Sequence, residues 1–74
     1  MGKLRPLSGR EVVALLTSHG LVEIRRRGSH IVMQKKADGQ TITAIVPAHR
    51  EIRIGTLVSI IRQSRLPREL FEAP

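Results

Sequence analysis

The chain has no cysteine, no tryptophan and no tyrosine, and its single aromatic residue is Phe71, near the end. Without cysteine there is no disulfide framework and no thiolate metal site. That usage is the one expected of a reducing compartment and predicts a cytoplasmic protein. One aromatic ring cannot build the stacking platform on which single-strand binders lay successive bases. The longest apolar runs, Val12 to Leu16 and Ala44 to Val46, fall far short of a bilayer span. Lys3 and Arg5 lead into no apolar stretch of signal-peptide length. Acidic residues are scarce, six against 13 Lys and Arg, which leaves a formal charge of +7. Such a balance points to a polyanionic partner. Arginine outnumbers lysine ten to three, and the guanidinium fork matches phosphate oxygens two at a time. Nucleic acid is therefore favoured over other anions.

At 74 residues the chain makes a single domain over 1–74. So short a chain buries only about 60% of its unfolded surface, so the core is thin. Residues 1–7 read as an N-terminal arm and 72–74 as a flexible tail. Ser8-x-x-Glu11 is a capping box. Val12, Leu15, Leu16 and His19 follow at helical spacing, and Gly20 closes a helix over about 9 to 18. Three strand-like runs come next: Leu21 to Arg27, His30 to Lys36, and Thr41 to Val46 before Pro47. Gly28-Ser29 and the Asp38-Gly39 pair supply the turns. Ile54, Leu57, Val58 and Ile61 define a second amphipathic helix ending near Ser64. Leu66 to Phe71 adds a last turn with Pro67 at its start. The order is α-β-β-β-α, an α+β fold with a three-stranded antiparallel sheet and both helices on one face. Period-two alternation sends Ile31, Met33, Ile42, Ala44 and Val46 to the covered face. Lys35 shares that parity. His30 falls on the open face or its rim.

Gly28-Ser29-His30 is the most informative tripeptide. It joins the basic run Arg25-Arg26-Arg27 to the apolar run Ile31-Val32-Met33. A tight turn thus delivers an imidazole, the side chain that exchanges protons near neutral pH, onto the first position of a strand. Gly28 lets a phosphate approach the backbone, or merely permits the turn. The arginines hold phosphate oxygens, or form a solvated strand edge that blocks aggregation. Alternation leaves only some of them on the face of His30. His49, in Val-Pro-Ala-His just past the third strand, orients substrate or is a loop histidine without a task. His19 reads as a helix-terminal cation.

The histidines and carboxylates lack the short-spaced pairs of zinc sites. There is no phosphate loop, dinucleotide fingerprint or serine triad. RNA carries its own nucleophile, the 2′-hydroxyl. One histidine and a few arginines therefore suffice in principle to cleave it without a metal, and DNA is spared.

Arg-Arg-Arg-Gly-Ser-His at 25–30, Val-Pro-x-His at 46–49 and Ile-Gly-Thr-Leu-x-x-Ile-x-x-Gln at 54–63 resemble, in that order, the HicA family of toxin–antitoxin systems. The resemblance implies a double-stranded-RNA-binding-domain-like fold and cleavage of messenger RNA. It implies a HicB-like antitoxin as partner and His30 as the catalytic residue. RNA contacts are expected from Arg25, Arg26, Arg27, Gly28, Ser29, Lys35 and His49, with no cofactor, no metal and no membrane. Leu21, Met33 and Arg65 depart from the family pattern. Two other readings use the same features. In one the chain is a non-catalytic RNA-binding module. In the other its basic face serves an acidic protein partner.

Overall fold

A computed structural model describes residues 2–74. It contains helix α1 (Gly9–Ser18), strands β1 (Val22–Arg27), β2 (His30–Ala37) and β3 (Gln40–Pro47), helix α2 (Ile54–Ser64) and a 3-10 turn at Arg68–Phe71. The sheet is antiparallel in the order β1-β2-β3. These bounds sit within a residue or so of the expected ones. The α-β-β-β-α order and α+β class are as read from the sequence, and the fold is of the double-stranded-RNA-binding-domain kind.

Val12 and Leu16 of α1, with Leu57 and Ile60 of α2, pack on Ile31, Met33, Ala44 and Val46 of the sheet. Both helices therefore cover one face. Phe71 is fully buried and docks the last turn. Leu21 and Met33, two of the departures from the family pattern, are likewise buried, so the core absorbs both. Ile54 does not join them. It is 57% exposed, because the first turn of α2 overhangs the core and the helix buries Leu57, Ile60 and Ser64 instead.

The pairing of β1 with β2 slips between Glu23 and Arg25. Ile24 is the extra residue of a β-bulge, which twists and bends the edge strand. All six residues of β1 are exposed. The bulge and the arginines blunt an edge that would otherwise invite pairing with another chain.

Among the described residues, the segments read as an N-terminal arm and a C-terminal tail touch one another. Leu4 pairs with Glu72. The Arg5 amide donates to the Phe71 carbonyl at 2.9 Å, and the Ala73 amide to that of Lys3 at 2.8 Å. Backbone groups at both ends satisfy one another, which side-chain patterning does not reveal.

The capping box of α1 forms in full. Glu11 N–H donates to Ser8 Oγ at 3.1 Å, and Ser8 N–H donates to the Glu11 carboxylate at 2.9 Å. The Ser8 amide first, then the Ser8 hydroxyl and the Arg5 guanidinium, hold the Glu11 carboxyl below the usual glutamate value. A depressed folded-state value stabilises the fold above the unfolded carboxyl's pKa, about 4.3. That contribution is lost as pH falls through the lowered value. The melting temperature of Glu11→Gln is therefore expected to fall less between pH 7 and pH 3 than that of the wild type. Equal acid sensitivity would show that the box does not carry it.

Candidate functional site

His30 opens β2 immediately after the Gly28-Ser29 turn. Gly28 takes φ +58°, a conformation that costs L residues about 1–2 kcal/mol. Nothing lies within 4 Å of where its Cβ would be, so the glycine serves conformation and not close packing. His30 pairs with Arg27 on one side and Pro47 on the other. Its side chain is exposed. Directly opposed residues point to the same face, with Cβ atoms about 4.5–5.5 Å apart. Arg27 is thus the immediate neighbour of His30 on the open face. Arg25 lies opposite Val32 on that same face, whereas Arg26 lies opposite Ile31 and points to the helix side. The arginine run divides, as alternation requires. Lys35 is not brought to His30. It lies on the helix-covered face, and its ammonium donates to the His19 carbonyl at 3.0 Å, at the C-terminus of α1.

The segment 48–53 carries His49, Arg50, Glu51 and Arg53, and backbone bonds hold it on three sides. The Ala48 amide donates to the Ser29 carbonyl at 2.6 Å, which ties the segment to the turn before His30. The Gly9 amide donates to the His49 carbonyl at 2.8 Å, and the Ile52 amide to the Leu7 carbonyl at 2.8 Å. The side chain of Ile52 is buried beneath. Gly9 itself permits this contact. A Cβ there would collide with the Pro47 carbonyl oxygen and stand 3.2 Å from Ala48 Cα and from His49 N.

His49 forms a wall between two open clefts. One, of about 510 Å³, is lined by His30, Pro47, His49, Glu51, Arg53, Thr56 and Gln63 among others. Gln63 is partly engaged there, accepting the Ile45 amide at 3.1 Å. No side chain caps the N-terminus of α2, which begins just after Arg53. The other cleft is larger, about 720 Å³, and lies between α1, β1 and the 48–53 segment. Arg10, Arg26, His49 and Arg50 line it over an apolar floor that includes Val13 and Ile31.

Arg10, Arg50, Arg53 and Glu51 did not emerge from the sequence as site residues. The density of charge after His49 marks three of them. Arg10 carries no such signal, because it is an ordinary polar position on the first turn of a helix until the fold sets it beside Arg26. Among the described residues no three His, Asp or Glu side chains gather as metal ligands. Among them, too, no helix is long and apolar enough to cross a membrane.

A three-stranded meander under two helices, with an exposed histidine set among arginines at one end, defines a small basic protein of the double-stranded-RNA-binding-domain class. A family model described as the HicA toxin of bacterial toxin-antitoxin systems matches residues 9–66. The chain belongs to the HicA toxin family. No curated protein matches it.

Proposed function

We propose that this protein is a metal-independent endoribonuclease that cleaves messenger RNA, with His30 as its single catalytic histidine. The observation that carries the reading is an exposed imidazole at the mouth of a cleft with Arg27 directly across the strand pair. His30 accepts the proton of a 2′-hydroxyl. O2′ attacks the adjacent phosphorus, and the bond from phosphorus to O5′ breaks as the new one forms. The imidazolium returns the proton to O5′. The products are a 2′,3′-cyclic phosphate and a free 5′-hydroxyl, so atoms and charge balance. Arg27 and Arg25 stabilise the charge that develops on the phosphoryl oxygens. Gly28 and Ser29 leave room for the backbone to approach. A HicB-type antitoxin of acidic character inhibits by covering this basic end.

The test is cleavage of one structured messenger RNA in the presence of a chelator, with end analysis. Cyclic phosphate ends are expected, and a substrate with 2′-deoxyribose at the cleaved position should resist completely. A 3′-hydroxyl end, or full cleavage of the deoxy substrate, would defeat the 2′-hydroxyl route. RNA binding without any turnover would reduce the protein to a binding module.

A further inference from the structure

The larger cleft takes no part in the chemistry just described. Its rim brings together guanidinium groups from three separate elements: Arg10 of α1, Arg26 of β1 and Arg50 of the 48–53 segment. No acidic side chain lines it. Glu11 and Glu23 lie close in sequence to lining arginines, and neither neutralises the cleft. Glu11 accepts from the Ser8 amide. Glu23 stands 3.6 Å from Arg26, with both side chains about half exposed, a pairing that contributes little. Arg10 and Arg50 line the cleft with no acidic side chain beside them in its lining, and Arg26 has only the weak, exposed pairing to Glu23. Like charges therefore face one cleft, and a bound anion offsets their repulsion. The apolar floor of Val13 and Ile31 suits a ribose or base edge, with the charged rim left for phosphate. His49 lines both this cleft and the one containing His30, so the two adjoin at that residue.

We propose that Arg10, Arg26, Arg50 and His49 form a second anion site, which holds the RNA phosphate neighbouring the one cut at His30. The inference rests on the ribonuclease reading for its ligand and extends it to a second subsite. Arg10 and Arg50 are positioning residues here. They fix the register of the strand without touching the reacting atoms.

The test compares Arg10→Gln/Arg50→Gln with Lys3→Gln/Arg62→Gln, which removes the same charge outside both clefts. Binding is measured with an RNA oligonucleotide carrying one 2′-deoxyribose at the cleaved position, over a range of salt. The site pair should flatten the slope of log affinity against log salt by about 0.7, the value for one lost single-strand phosphate contact. KM should rise about tenfold, the effect of losing one charge-assisted contact, with kcat unchanged within about twofold. The control pair should move neither parameter by as much. Equal changes in the two variants would overturn the inference, because the effect would then belong to net charge. If the wild type cleaves nothing while the site pair alone flattens the slope, the anion site stands and the catalytic reading falls. If cleavage proceeds while the site pair leaves slope and KM intact, the inference falls alone.

Discussion

Replacing His30 with alanine is expected to slow RNA cleavage by about 10²- to 10⁴-fold, the usual share of a positioned acid or base, while the fold stays intact. The side chain is exposed, and surface substitutions of this kind change stability by about 0.5 kcal/mol at most. The backbone at this position is held by the ladder to Arg27 and Pro47, not by the imidazole. Affinity for a non-cleavable RNA should be retained, since charge from the arginines carries binding. The cleft around His30 is open, so free imidazole added to His30→Ala should restore part of the rate, more at neutral than at acidic pH. A variant that cleaves as well as the wild type would remove His30 from the mechanism. A variant with a lowered melting temperature would show that the histidine acts structurally.

The second large effect arises in a backbone contact between α1 and the 48–53 segment. Gly9→Ala is expected to destabilise the protein by about 2–4 kcal/mol, from overpacking together with a lost backbone hydrogen bond. In a domain of this size each kcal/mol lowers the melting temperature by about 4–8 °C. The added methyl meets the Pro47 carbonyl oxygen and the backbone of Ala48 and His49, and backbone does not swing aside as a side-chain tip does. The bond from Gly9 N–H to the His49 carbonyl must lengthen, and His49 moves with it. Alanine ordinarily favours a helix over glycine by about 1 kcal/mol, so helix propensity alone predicts the opposite sign. Gly55→Ala is the internal comparison. It lies in the first turn of α2, where an added Cβ meets nothing within 4 Å, and should be neutral or stabilising. Thermal melts of both variants decide the matter. Stabilisation of both would mean that α1 does not press on the loop.

What the sequence discloses about this fold follows from how local each cause is. The Ser8–Glu11 box, the Asp38-Gly39 turn and the alternation in β3 are written in adjacent residues, and each is found where expected, whereas in β2 Val32 is buried along with Ile31 and Met33. Asp38 and Gly39 both take positive φ, 52° and 75°, as a two-residue hairpin requires. The slip at Ile24 is different. A bulge changes one residue's pairing and leaves the apolar pattern of β1 unmarked. Ile54 has the right spacing for the core and lies one turn beyond it. Lys35 looks like a phosphate contact by charge, but its ammonium meets the carbonyl end of α1. That only some of the arginines share the face of His30 was legible from alternation, and the register identifies Arg27 as its partner. The meeting of Arg10, Arg26 and Arg50 was not, because it depends on how a helix, a strand edge and a connecting segment dock together.

The tethers at Ser29, Leu7 and Gly9 hold the connecting segment against the turn before β2 and the start of α1. Under the proposed function, the molecule is poised as it folds. A cell would then restrain it by occupying its mouth or by keeping copies few. Once the protein that occludes it is degraded, damage to transcripts starts without a lag for rearrangement.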